Sequence, residues 1–351
     1  MIETPSLVDQ HCHGVLRTEL GLGTFEARLA RTEGSPAPGT TLFDTQTGFA
    51  LRRWCPPLLG LEPHCPPARY LARRRDLGVL EAGRRLLRGR GITTYLVDTG
   101  LRGDLTGPGE MAAAGDAAAH EIVRLEPLAE QVADTSGTVD SFLTNLAEAV
   151  HGAAAHAVAF TSVAGVRHGP ALAPEPPGPG EVRRAAGRWL AGRRAGGELS
   201  DPVLLRHLLW IAVACGRPLQ LHAGPGGPGS AGTDPLPLTD FVRATAGLGT
   251  DLVLLYGHPY HRHAAHLAGL FPHVYADSGA ALARTGTRAA TVSSGAHGLP
   301  ELHVAGAHLF RESLERVLGG WVAEGAWCPA DAQRVAAMVA AENAMRVYGL
   351  G

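Results

Sequence analysis

Short apolar runs recur along this chain at residues 6–9, 93–98, 121–125, 158–162, 219–222, 252–256, 274–276 and 289–292. Each is short enough for a strand and is bounded by turn-forming or polar residues. Between them lie Ala-, Leu- and Arg-rich stretches with helical spacing, at 67–90, 139–151, 181–195, 201–215 and 238–247. Strands alternating with helices predict a parallel sheet, and eight of them fit a TIM-like (β/α)8 barrel. A doubly wound open sheet is the rival that counting leaves standing. The Pro/Gly-rich stretch 169–181 reads as a long surface loop, because the strand–helix rhythm resumes after it. No internal repeat interrupts the pattern, and residues 1–351 are expected to form a single domain.

Composition narrows the chemistry. The chain has 351 residues, 45% of them hydrophobic, which suffices for a large core and excludes disorder. A formal net charge of −2 offers no electrostatic footprint for nucleic acid or an anionic membrane. The 5 cysteines are scattered and odd in number, unlike a disulfide scaffold. All 31 basic residues are arginine. Without lysine, a Schiff base, a P-loop lysine and a carboxylated-lysine metal bridge are excluded. Residues 1–9 lack the pattern of a secretion signal, and no segment approaches the ~20 apolar residues of a membrane span. A cytoplasmic location is therefore expected.

In a barrel enzyme the chemistry sits at the carboxyl ends of the strands. The first strand runs into Asp9-Gln10-His11-Cys12-His13. Residues two apart on a strand share a face, so His11 and His13 point together while Cys12 points away. The fifth strand ends at His222, and His258 follows the sixth. Four imidazoles from three strand ends form a ligand set suited to a borderline divalent cation, foremost Zn²⁺. The chain has 17 histidines, so one His-x-His pair alone is weak, and the joint placement carries the argument.

Two other patterns are set aside. Gly224, Gly226 and Gly229 match the spacing of a dinucleotide-binding turn, but Pro225 and Pro228 interrupt it and no clean helix start follows. Cys55, His64 and Cys65 lack a fourth zinc ligand and read as a plain loop.

With these residues in view, the chain resembles the amidohydrolase superfamily of metal-dependent hydrolases. The nearest branch is that of amidohydrolase-2-like domains, including those fused ahead of glutamine-synthetase domains. The resemblance spans nearly the whole chain. It rests on VDQHCHG from Val8, YLVDTG from Tyr95, RLE from Arg124, PLQLHAG from Pro218, SSGAHGLPE from Ser293 and ENAMRVYGL from Glu342. It implies that His11, His13, His222 and His258 bind the metal.

Two departures stand out. The family carries an aspartate after strand eight, both metal ligand and base, where this chain has Gly295. After strand four the related branch has a lysine where this chain has Thr161, while Arg167 keeps the following arginine. Asp277, His297 and Glu301 are then the side chains expected to reach the pocket, Asp277 and His297 as catalytic groups. Asp277 has a structural alternative as a turn cap, and Glu301 one as an acidic residue in a helix's first turn. Arg124 and Arg167, with Glu126 and Glu301, are the expected substrate-binding residues. For Arg124, an ion pair with Glu126 is an equal alternative.

The resemblance implies hydrolysis of an amide or ring-amide C–N bond in a small acidic metabolite, using a metal-activated water. Two alternatives are metal-dependent decarboxylation of a small carboxylic acid and ligand binding by a catalytically weakened homologue. A small-molecule substrate is the expected partner, without nucleic acid or membrane, and self-association is left open.

Overall fold

The computed structural model describes residues 2–3, 6–29, 38–193, 196–223, 234–255, 259–277 and 290–351. Eight strands form one sheet in sequential order: β1 (Leu7–Cys12), β2 (Ile92–Asp98), β3 (Ala118–Arg124), β4 (Ala159–Ser162), β5 (Leu219–His222), β6 (Leu252–Leu255), β7 (Val274–Asp277) and β8 (Ala290–Thr291). The pairs whose register is defined are parallel. Just past β8 the chain returns to the first strand, where Gln10 N donates to Val292 O at 2.9 Å and Gly295 N donates to His11 O at 3.1 Å. This is the eight-stranded parallel (β/α)8 barrel that the strand–helix rhythm predicts, and the open-sheet alternative falls away.

The helices are α1 (Leu22–Leu29), α2 (Gln46–Leu58), α3 (Pro67–Leu77), α4 (Val79–Leu87), α5 (Pro108–Gly115), α6 (Leu125–Thr135), α7 (Val139–Ala154) and α8 (Ala164–Arg167). They continue with α9 (Pro179–Gly192), α10 (Pro202–Ala214), α11 (Thr239–Thr245), α12 (His261–Leu270), α13 (Pro300–Ala323), α14 (Pro329–Ala337) and α15 (Asn343–Tyr348). Local chemistry explains several boundaries. Asp201 caps α10 by accepting from Val203 N and Leu204 N, with Pro202 in the first turn. The helix expected over 67–90 is two helices, because Gly78 sits at φ 77° and ψ 157°, a conformation that ends one helix before the next begins. Among the described residues, no helix is long and apolar enough to cross a membrane.

The chain forms two compact units, each assembled from separate segments. The first comprises Met1–Val97, Leu101–His120 and Val292–Ala341. Its helical core gathers Phe25, Leu51, Tyr70, Leu86, Leu299 and Val304. The second comprises Asp98–Gly100, Glu121–Thr291 and Glu342–Gly351. The Pro/Gly-rich stretch 169–181 lies wholly inside it and marks no junction, and its last residues already belong to α9.

Within the second unit, Phe160, Leu219, Leu221, Leu252, Leu254, Val274 and Ala276 join the apolar core shared with α7, α10, α11 and α12. Because side chains alternate along a strand, this core dictates what the other sheet face carries.

Candidate functional site

Strand β1 holds the feature that organises the candidate site residues of the first unit. Its register with β2 pairs Asp9 with Tyr95 and Cys12 with Val97, so three steps on one strand match two on the other. The extra residue is a β-bulge, which turns the strand partway along. Asp9 and Cys12 therefore share one face with Tyr95 and Val97, while His11 and His13 take the opposite face. Strict alternation would have put Asp9 beside the two histidines; the bulge separates it from them.

Both histidine rings are buried, at 0% exposure for His11 and 5% for His13. Their centroids are 5.1 Å apart and the rings are nearly perpendicular, at 86°. His297 stands edge-on to His13 at 6.4 Å. The backbone fixes this arrangement, since His13 N donates to Ala296 O at 2.8 Å. Gly295 lies on the same segment with φ 55°, in the left-handed region that glycine enters without strain.

Behind the bulge, Asp9 accepts from Ser294 N at 2.8 Å and from Ser294 Oγ at 2.6 Å. His303, in the first turn of α13, brings Nδ1 to 3.5 Å from Asp9 Oδ2. None of this was anticipated from the sequence, because the partners are some 285 residues apart.

In the second unit, the strand faces opposite the helix-side core carry the polar residues. Leu219 and Leu221 point into the apolar core, which leaves Gln220 and His222 on the other face. By the same alternation, Val274 and Ala276 leave Tyr275 and Asp277 there. Arg124 pairs in register with Thr161, and Thr161 with Gln220, so these three form one polar row across β3, β4 and β5. His222 and Asp277 stand at the carboxyl ends of their strands, as expected. Asp277 is buried, at 8% exposure. His258 and the glycine pattern at 224–229 lie outside the described residues.

The expected substrate-binding residues are placed as follows. Arg124 donates through Nε to Asp98 Oδ2 at 3.1 Å, and its terminal NH2 group meets the same oxygen. Its ion-pair partner is thus Asp98, not the neighbouring Glu126. Gly100 makes the approach possible, because a Cβ there would come within 2.3 Å of Arg124 Cβ. Strand β3 ends at Arg124 and α6 starts immediately, so Glu126 lies in a helical first turn at 1% exposure. Its Oε1 accepts from Ser162 Oγ at 2.5 Å and Val163 N at 2.9 Å. Burial pushes its carboxyl up from the ordinary value, partly offset by the bond from Ser162. Arg167 donates to Glu130 Oε1 at 2.5 Å and Leu199 O at 3.0 Å, joining α8 to α6.

Glu301 lies in the first turn of α13 with 0% exposure. Its Oε1 accepts from Tyr70 Oη at 2.8 Å and Arg74 Nε at 2.9 Å. Arg74 also donates to Glu19 Oε1 at 2.8 Å. Burial, with the Glu301 charge alongside, pushes the Tyr70 hydroxyl well above its usual range. In the described structure Glu126, Arg167 and Glu301 are engaged in links between elements. The plain-loop reading holds for His64, which is exposed, and for Cys65, which is buried, but Cys55 lies within α2 and is buried in the helical core.

Known proteins add the following. No family model matches the chain, and no curated protein does. Among solved structures, it is similar to a candidate metal-dependent hydrolase from Lactobacillus casei, at 22% identity and TM-score 0.82, covering 99% of this chain and 96% of that one. It is also similar to uronate isomerase from Thermotoga maritima, at 13% identity and TM-score 0.62, covering 98% and 94%. Glucuronate isomerase from Caulobacter crescentus matches at 14% identity and TM-score 0.62, covering 99% and 92%. These likenesses establish a shared fold over the whole chain, one that carries hydrolase- and isomerase-type enzymes.

Proposed function

We propose that this chain is a metal-dependent hydrolase of the amidohydrolase superfamily, cleaving an amide or ring-amide C–N bond in a small acidic metabolite. The observation that carries the reading is the bulged end of β1, which presents two buried, mutually perpendicular imidazoles on one face. Imidazole pairs of this kind suit Zn²⁺ and its neighbours. His11, His13, His222 and His258 are the proposed ligands. A divalent cation, when bound, supplies Lewis acidity toward water and a carbonyl oxygen.

The chain's own residues do the rest. Arg124 orients a substrate carboxylate with the guanidinium edge it does not give to Asp98. Gly295 offers no side chain, so proton transfer falls to Asp277, which shares the face of His222, or to His297 beside His13. Either group fits general-base work at a strand end.

A second reading is favoured by the glycine at 295: non-hydrolytic chemistry of a small carboxylate on the same scaffold. It covers decarboxylation and the sugar-acid isomerisation named for two of the similar structures. The discriminating experiment incubates the metal-loaded chain with a panel of N-acyl and lactam acids, simple carboxylic acids and hexuronates. Ammonia or amine release is the expected outcome. Carbon dioxide release or aldose–ketose conversion, without C–N cleavage, would move the second reading ahead. No turnover of any kind despite bound metal would leave a ligand-binding protein.

A further inference from the structure

The bulge in β1 has a second consequence on the face it turns away from His11 and His13. One ligand atom each from Asp9, Cys12 and His303 lies within 4.8 Å of the other two, and all three residues are buried. His303 is fully buried; its Nδ1 faces Asp9 Oδ2 at 3.5 Å without a hydrogen bond, and its Nε2 has no hydrogen-bond partner. Tyr95 stands edge-on to that ring at 5.5 Å, and its own buried hydroxyl is likewise without a partner. A buried imidazole left in this state is costly, and native structures rarely tolerate it without an ion or water to satisfy it.

We infer that Asp9, Cys12 and His303 form a second, buried divalent-metal site of zinc type, separate from the His11/His13 centre. A thiolate, an imidazole and a carboxylate together select Zn²⁺ over the hard cations Mg²⁺ and Ca²⁺, which prefer all-oxygen ligands. Binding replaces the Cys12 S–H bond with a metal–sulfur bond and releases that proton to solvent. His303 contributes a lone pair, and no electrons are transferred. Three protein ligands leave the fourth position of a tetrahedral ion to a water, and with these residues buried the site serves to hold elements together, not to meet substrate. Such a site would tie the first turn of α13 to β1. Through Asp9 and Ser294 it would also hold the segment carrying Gly295 and His297.

The test uses the full chain and Co²⁺ as an optical probe, comparing the unmodified protein, the His11→Ala/His13→Ala double variant and Cys12→Ser. The double variant is expected to keep one tightly held equivalent with an intense near-ultraviolet thiolate-to-cobalt band. Cys12→Ser should lose that band while keeping the equivalent bound by His11 and His13. A folded double variant with no thiolate band overturns the inference, as does a band that survives Cys12→Ser and so belongs to another cysteine. If Cys12→Ser does not fold, X-ray absorption at the zinc edge of the double variant decides instead. A sulfur neighbour at ~2.3 Å is required, and a shell of nitrogen and oxygen alone refutes the site. Because the two centres are removed by different variants, failure of this inference leaves the proposed function untouched, and the reverse holds.

Discussion

Gly295 is the residue on which the proposed hydrolysis turns. It holds φ 55° and its N–H is bonded to His11 O, so any side chain there projects from a backbone fixed beside β1. Aspartate enters the left-handed region more readily than most residues, which makes Gly295→Asp a fair test. A general base contributes ~10²–10⁴-fold to rate, so the variant should raise C–N hydrolysis within that range if no other group has taken the role. If Asp277 has taken it, Asp277→Asn abolishes activity in the unmodified chain and Gly295→Asp adds little. A folded Gly295→Asp protein without gain, together with a silent Asp277→Asn, would count against metal-water hydrolysis.

Glu126 supplies a second test at this scale, through pH. Burial raises its carboxyl above the ordinary value of 4.5, so the folded state prefers it protonated. The stability it contributes is present below about pH 4.5, and is lost as pH rises through the raised folded value. Glu126→Gln removes that dependence while leaving a carbonyl oxygen to accept from Ser162 and Val163. The variant's stability relative to the unmodified protein should therefore grow as pH climbs from 4.5 toward neutrality, as read by denaturant unfolding. A constant difference across that range would refute the assignment.

At the scale of elements, one buried ion pair joins α3 to α13. Arg74 and Glu301 have side chains at 1% and 0% exposure, and Tyr70 completes the link. Removing one partner strands the other's charge in the core, which typically costs about 3–5 kcal/mol. Arg74→Met should lose stability on that scale in denaturant melts, whereas the double change Arg74→Met/Glu301→Met should recover much of it. Equal losses in both would mean the pair is not what couples the helices. The α3–α4 break makes a complementary prediction: Gly78 occupies a conformation few other residues adopt, so Gly78→Ala should destabilise by about 1–3 kcal/mol. An unchanged midpoint would show that the break tolerates a side chain.

For the whole molecule, the question is whether metal is needed to fold. The apolar clusters of both units are extensive and independent of the strand-end histidines. Unlike a zinc finger, a chain of this length has its own core, so the His11→Ala/His13→Ala protein should still melt cooperatively and retain its circular dichroism. It should also lose the metal held by that pair, as measured by elemental analysis. Full metal content in the variant would overturn the ligand assignment.

Much of this protein is legible in local pattern. The eight apolar runs mark the eight strands, because a buried strand needs a short run of apolar residues wherever it lies in the chain. The same period of two puts His11 with His13 and leaves His222 opposite Leu221, and these placements hold in the structure. What the pattern did not reveal depends on partners distant in sequence. Whether Asp9 shares a face with His11 depends on the register of β1 against β2, where a single bulged residue reverses the answer. Arg124 chose Asp98 over Glu126 because α6 begins at Leu125 and draws Glu126 beneath it, toward Ser162. Glu301 reads as a pocket residue by position, yet Tyr70 and Arg74, more than two hundred residues earlier, enclose it. Periodicity reports which way a side chain points relative to its neighbours in the chain. Only packing decides what it meets there.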